Sequence, residues 1–413
     1  MRFQWHMCPD FCFDPSERTK NIRYAIRDVV VEANKLKRLG HQILHLNIGD
    51  PNAYDFDTPD HIKQGTIRAL EEGHSGYSPS EGIPELRDAI AAQEQKDGRE
   101  LCADDVVVTA GVTEGLQMLF ANLEGRKALI PAPAYPPYTT YAKFYGAIPV
   151  EYPTIEENDW QPDIDFIRKK LELDVRHEIN ALCIINPNNP TGAFYSEKTV
   201  RELMSIAGAF GIMAISDEIY DRMLYDREIV KPGVSRADKD IPLIIFNGIS
   251  KVYFAPGWRI GYITYQDDGS LDMFRESIGR QVRARLCPNT PCQYGYLEAL
   301  RGPHDFLDTY IAKLRKRRDY CVKRITEING LSTRVPEGAF YMFPKIDDAN
   351  VDDRKFVIDL LKQCHTLFVH GSGFSDVHGA GHFRMVFLPD LPILESAFDR
   401  IEAFMKNWMK DRQ

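Results

Sequence analysis

Six short apolar runs constrain this chain more than any other feature: Val106–Thr109, Ala128–Pro131, Ala181–Asn186, Ile212–Ser216, Leu243–Asn247 and Ile260–Tyr265. Each run is nearly continuous in apolar character, and helical patterns follow. A strand that buries one face alternates apolar and polar residues; a strand covered on both faces does not. The pattern predicts an α/β fold, with a mostly parallel sheet sandwiched by helices. The last run follows its predecessor too closely for a helical crossover, so it is expected to run antiparallel.

Outside this region the pattern changes. Residues 20–39 read as an amphipathic helix with Ile22, Ile26, Val29, Val30, Ala33 and Leu36 on one face and Gly40 as its stop. From about residue 290, charged helical patterns (Asp305–Ile328, Asp353–Cys364, Ile393–Lys410) alternate with short segments such as Ala339–Pro344 and Phe383–Leu388. This predicts a smaller α+β domain, against which the N-terminal helix packs. The expected division is an N-terminal arm and helix over 1–48, a large domain over 49–289 and a small domain over 290–413. A chain of 413 residues exceeds a single small core, which agrees with two domains.

Composition narrows the function classes. The chain is 44% hydrophobic and 27% charged, as in ordinary soluble globular proteins. A net charge of -9 argues against a general nucleic-acid binder, which needs a basic face. No apolar run approaches the roughly 20 residues of a membrane span. Met1–Asp14 carries Arg2, His6 and Asp10 and lacks a signal-peptide core, so a cytoplasmic location is expected. Of the eight cysteines, Cys8 with Cys12 and Cys287 with Cys292 lie close, but neither pair has a second pair at zinc spacing. Reduced thiols and no metal are expected.

In open α/β sheets, ligands sit beyond the carboxyl ends of the strands, and several chemically unusual residues fall there. Lys251 closes Gly248–Ile249–Ser250–Lys251 after the run Leu243–Asn247. Alone it reads as a solvated surface lysine. Eight residues on, Arg259 stands in Pro256–Gly257–Trp258–Arg259–Ile260–Gly261–Tyr262, and arginine suits phosphate through paired N–H donors. A lysine nucleophile near a phosphate-binding arginine fits a phosphorylated aldehyde cofactor. Asp217, in Ser216–Asp217–Glu218–Ile219–Tyr220, can pair with a protonated pyridine nitrogen or serve as a helix cap, and Tyr220 can bond a ring oxygen. The turn Asn186–Pro187–Asn188–Asn189–Pro190–Thr191–Gly192 offers the Asn189 amide. In Thr109–Ala110–Gly111–Val112–Thr113–Glu114–Gly115, the small residues let backbone N–H groups and the Thr113 hydroxyl approach a phosphate at a helix N-terminus.

Together these motifs resemble the class I/II aminotransferases, which are fold-type-I enzymes dependent on pyridoxal 5'-phosphate (PLP). The resemblance runs from about residue 20 to the end. It implies a seven-stranded-type sheet in a large PLP domain and a Schiff base between PLP and Lys251. It implies cofactor contacts from Gly111, Val112, Thr113, Tyr135, Asn189, Asp217, Tyr220, Ser250 and Arg259. Tyr135, in Pro133–Ala134–Tyr135, matches the aromatic residue stacked on the ring. Tyr77, in Gly76–Tyr77–Ser78–Pro79, matches a tyrosine that reaches the neighbouring subunit's phosphate, which implies a homodimer. Arg384, with Asn189, matches the grip on the substrate α-carboxylate, which the Gly49 backbone approaches.

Within the family the chain is most similar to bacterial and archaeal alanine aminotransferases, through Leu46–Pro51 followed by Tyr54–Pro59, Arg285–Leu286–Cys287–Pro288–Asn289 and Tyr341–Met342–Phe343–Pro344–Lys345. The implied reaction moves an amino group from an L-amino acid, alanine first, to a 2-oxo acid such as 2-oxoglutarate. Two departures stand out. Gly248 replaces a frequent serine, which leaves Ser250 and Arg259 more of the phosphate, and His370 stands where proline is common. Aspartate transamination, with Arg283 or Arg285 near the region of a second cation, and a PLP-dependent C–S lyase are alternatives. A PLP-fold transcriptional regulator is a third, but about 20 residues before the first helix leave no room for a helix-turn-helix module.

Overall fold

The computed structural model describes residues 16–20 and 25–410. Cys8, Cys12 and Ile22, and the arm before residue 16, lie outside the described residues. An eight-stranded sheet runs in the order Val106–Thr109, Gly261–Gln266, Leu243–Gly248, Met213–Asp217, Ile179–Ile185, Lys127–Ala132, Ile148–Ile155, Gln161–Pro162. The five central strands, from Leu243–Gly248 to Ile148–Ile155, pair in parallel. Gly261–Gln266 runs antiparallel to both of its neighbours, as its closeness to the preceding strand predicts.

The near-continuous apolar runs are explained by two covered faces. Ala128, Ile130, Cys183, Ile185, Ile215 and Phe246 join a core beneath Val112–Ala121 and Asp272–Arg285. The intervening Leu129, Leu182, Ile184, Ala214 and Ile245 join a second core beneath Ile164–Glu172 and Glu197–Phe210. Successive residues thus point to opposite helix layers, and none can be polar without facing apolar neighbours.

Two strands lie outside the expected set. Ile148–Ile155 carries Pro149, Pro153 and Glu151 and is only partly buried, so its apolar signal is broken. Gln161–Pro162 adds a two-residue edge, the position where a sheet tolerates proline.

The remaining elements form a third core. Asp305–Glu327, Asp353–Cys364 and Leu391–Lys410 match the expected helices within two residues. They pack with a three-stranded antiparallel sheet of Tyr341–Met342, Phe383–Val386 and Val369–His370. The N-terminal helix Ala25–Arg38 packs against this part, and Leu44–His45 pairs in parallel with Thr366–Leu367. The helix Thr290–Arg301 lies against Asp60–Glu71, so closely that a Cβ at Gly295 would overlap Thr66. The six described cysteines are free, with Cys183, Cys321 and Cys364 buried. Among the described residues, no helix is long and apolar enough to cross a membrane.

Candidate active site

The carboxyl ends of Ile179–Ile185, Met213–Asp217 and Leu243–Gly248 open onto a cavity of about 450 Å³. Gly49, Val112, Thr113, Tyr135, Asn189, Asp217, Tyr220, Ser250, Lys251, Arg259 and Arg384 all line it. Residues far apart in sequence therefore meet around one space. Gly111, which precedes Val112, is not among the residues lining this cavity. Tyr77 does not reach it and is 84% exposed on the same chain.

Lys251 leaves the sheet in the turn after Leu243–Gly248. Its Nζ donates to the Gly49 carbonyl at 3.0 Å and lies 5.6 Å from the centre of the Phe340 ring. Burial pulls the amine down to about 8, helped by the Arg384 and Arg259 charges and opposed chiefly by Asp50. A neutral, nucleophilic amine is thereby accessible near neutral pH.

Asp217 ends its strand with a buried carboxylate. Tyr138 donates its hydroxyl to Oδ2 at 2.7 Å and the Ile219 N–H donates to Oδ1 at 3.1 Å. Burial still pushes the carboxyl up to about 6. A cation beside such a group would favour its charged form and draw its acidity back toward the ordinary range.

Arg259 adopts a left-handed conformation, with φ 55°. Its Nη1 donates to the Pro256 carbonyl at 2.9 Å and its Nη2 to that of Ala110 at 3.4 Å. A Cβ on Gly111, whose φ is +77°, would overlap this guanidinium. Glycine there lets the cation rest against the start of the helix Val112–Ala121, where free N–H groups and the helix dipole already favour an anion. Ser250 and Thr113 add hydroxyls.

Gly248 also finds its reason. It pairs with Gly261 across the antiparallel ladder. A Cβ at Gly248 would stand 2.7 Å from Gly261 Cα and from the Ile260 carbonyl oxygen. Serine would not fit without backbone movement. His370 caps the turn Gly371–Gly373, with its Nδ1 2.8 Å from Ser372 Oγ.

Arg384 is 1% exposed and lies between the Tyr341 and Phe374 rings, at 4.6 and 4.9 Å. Its Nη1 donates to Asn189 Oδ1 at 2.9 Å and its Nη2 to the Asn47 carbonyl. The Tyr220 and Tyr341 hydroxyls bond at 2.8 Å. A Cβ on Gly49 would overlap Tyr341 Oη, so only glycine lets this backbone form the cavity wall.

Sequence reasoning passed over Tyr138, Tyr341 and Asp50. Tyr138 lies three residues after Tyr135, one helical turn on. Tyr341 sat in a quoted motif without a role. It also passed over the buried ionic network after Asp217. Arg99 pairs with both Glu94 and Glu218, and Lys231 pairs with Asp97 at 2.6 Å and Asp221 at 2.8 Å. The network ties the helix Pro84–Lys96 to residues 217–221, the segment that carries Asp217 and Tyr220.

These groups fit PLP. The anion cradle suits its phosphate, the buried Asp217 carboxylate suits a pyridinium nitrogen, and the Lys251 amine suits its aldehyde. Among the described residues, no His, Cys, Asp and Glu cluster is arranged to hold a metal ion.

Known proteins agree with this arrangement. The chain is 52% identical to the alanine aminotransferase from Pyrococcus furiosus, with a TM-score of 0.92 over 95% of this chain and 100% of that one. It is 35% identical over 407 residues to the glutamate-pyruvate aminotransferase of Haemophilus influenzae, covering 96% of this chain and 99% of that protein. It is also 35% identical over 407 residues to an alanine aminotransferase of Mycobacterium tuberculosis, covering 96% and 93%. The match to the family described as aminotransferase class I and II spans residues 42–401, which takes in every residue lining the cavity. The chain belongs to this family and is a PLP-dependent aminotransferase.

Proposed function

We propose that the enzyme transfers the amino group of L-alanine to 2-oxoglutarate, and that Lys251 is the residue to which PLP is linked. The observation that carries the site assignment is the convergence of Lys251, Asp217, Arg259 and Arg384 on one cavity.

When bound, PLP supplies an aldehyde for imine formation and a cationic ring that takes up the electron pair released at the substrate Cα. Asp217 would keep the ring nitrogen protonated. Tyr135 would lie against the ring, and Asn189 and Tyr220 would orient its oxygen. Gly111, Val112, Thr113, Ser250 and Arg259 would hold the phosphate. Arg384, steadied by Asn189, grips the substrate α-carboxylate beside the Gly49 backbone and sets the direction of the Cα–H bond. Lys251 Nζ then takes the Cα proton, and its lowered basicity lets it release that proton again.

Alanine is favoured over aspartate by what holds Arg285. Its guanidinium pairs with Glu114 at 3.3 Å and donates to the Ser80 and Val108 carbonyls, so it serves its own subunit's fold. Arg283 pairs with Glu276 at the surface. The identities to alanine and glutamate-pyruvate aminotransferases support the same choice.

A cytoplasmic homodimer completes the reading. Tyr77, exposed on its own chain, then reaches the partner's phosphate, and light scattering would give twice the chain mass. In this reading 49–289 are the large domain and 290–413 the small one, with the N-terminal helix Ala25–Arg38 packing with the latter. A half-reaction screen tests the function: each common amino acid is mixed with the PLP form, and loss of the visible cofactor band is recorded. Alanine and glutamate should react fastest. Inertness toward both would refute the proposal.

A further inference from the structure

Tyr341 lines the cavity, yet the reading above, on which this inference rests, gives it no task. Its strand, Tyr341–Met342, pairs with Phe383–Val386, which carries Arg384. The ring lies 4.6 Å from the Arg384 guanidinium, and the hydroxyl stands against the Gly49 backbone, where a Cβ would overlap it. The same hydroxyl lies 2.8 Å from that of Tyr220, which follows the central strand Met213–Asp217. Both tyrosines are 3% exposed, so bulk water does not compete for this bond.

We propose that Tyr341 is a positioning residue: it donates a hydrogen bond to the Tyr220 hydroxyl and so strengthens the bond that Tyr220 makes to the ring oxygen of the cofactor. A phenol has one proton to give. When Tyr220 gives its proton to the ring oxygen, the bond between the two tyrosines has to be donated by Tyr341. A hydroxyl that accepts one hydrogen bond donates the next more strongly, and a buried setting enlarges the effect. Burial first, and the Tyr341 hydroxyl after it, hold the Tyr220 phenol protonated well beyond the ordinary range, so its proton is present throughout the working pH.

The consequence has a sign. A donor at the ring oxygen stabilises the negative charge there and loosens the proton that this oxygen shares with the Lys251 nitrogen. That proton sets the pH midpoint of the cofactor's visible band. Removing the Tyr341 hydroxyl weakens the donor, so the midpoint rises.

The test is a pH titration of the visible absorbance of PLP-loaded wild type, Y341F, Y220F and the double variant. Phenylalanine at position 341 keeps a ring beside Arg384 and loses only the hydroxyl. The charged groups lining the cavity, Asp50, Asp217, Lys251, Arg259 and Arg384, are the same in all four proteins. Y341F should raise the midpoint by about half a pH unit, roughly a threefold change, which is the lower end of what a neutral hydrogen bond contributes. Y220F should raise it further, and adding Y341F to Y220F should leave it unmoved. Calorimetric binding of propionate, an unreactive carboxylate, should match in wild type and Y341F. If Y220F shifts the midpoint and Y341F does not, or if Y341F shifts it equally with and without the Tyr220 hydroxyl, the proposal fails alone. Weaker propionate binding by Y341F with an unmoved midpoint would assign Tyr341 to Arg384 and overturn it as well. If Y220F itself leaves the midpoint at the wild-type value, the placement of Tyr220 at the ring oxygen fails and carries this proposal with it.

Discussion

Replacing Tyr138 with Phe removes a single hydrogen bond from the cavity floor. Tyr138 is fully buried, and its hydroxyl donates to Asp217 Oδ2 at 2.7 Å. Burial pushes the Asp217 carboxyl up to about 6, and the Tyr138 bond is the foremost influence pulling it back. The Ile219 N–H bond survives the substitution. A hydrogen bond to a charged group contributes about 1.5–3 kcal/mol. Since 1.36 kcal/mol is a tenfold change, Tyr138→Phe should weaken the carboxyl as an acid by about tenfold to a hundredfold. The sign follows from which form the donor favours. Its loss favours the protonated acid, so at pH 7 fewer molecules carry the charge that pairs with the ring nitrogen. The variant should bind PLP about twofold to fifteenfold more weakly at pH 7, which is the fall in the ionised fraction of a carboxyl that starts near 6, and the deficit should shrink as pH rises. The assay is an absorbance titration of the apoenzyme with PLP between pH 6.5 and 9, with a thermal melt as control. A lowered Tm with an unchanged PLP dissociation constant across that range would refute the reasoning.

Three further outcomes follow from the same geometry. Arg384→Gln removes a buried paired donor and should raise KM for the amino acid by about tenfold to a hundredfold while leaving the cofactor absorbance intact; steady-state kinetics and a spectrum check both halves. In the apoenzyme, burial lowers the Lys251 amine to about 8, so its labelling by an amine-directed reagent should rise through that pH, and a midpoint near 10 would contradict the described surroundings. Arg99→Ala leaves Glu94 and Glu218 buried without their shared cation and should cost about 3–5 kcal/mol in denaturant unfolding, whereas a loss below about 1 kcal/mol would show that the network contributes little.

The sequence carried the central sheet because burial on two faces leaves a signal that little else produces. All of Val106–Thr109 and Leu243–Gly248 is buried, and the runs matching them could be read to within a residue. Ile148–Ile155 was illegible because it is only partly buried, beside the two-residue edge strand, and so admits prolines and a glutamate. Lys251, Asp217 and Arg259 were legible as residues with unusual chemistry at strand ends. Their supports were not. Tyr138 matters through a partner 79 positions away, and Arg99 through one 119 away, and no local pattern records such pairings. Gly248 read as a missing hydroxyl, yet its cause is the backbone of Gly261 pressed against it. Tyr77 and Gly111 are the predicted site residues that do not line the cavity, and nothing in a single chain tests the expected reach of Tyr77 across a subunit boundary.

The most direct test of the account asks which amine holds the cofactor. Purified holoenzyme would be reduced with borohydride, digested and mapped by mass spectrometry. The account predicts the phosphopyridoxyl mass on the peptide containing Lys251 and on no other lysine, with the label absent from Lys251→Ala. Stoichiometric label on a different lysine, or a Lys251→Ala variant that still transaminates, would contradict it.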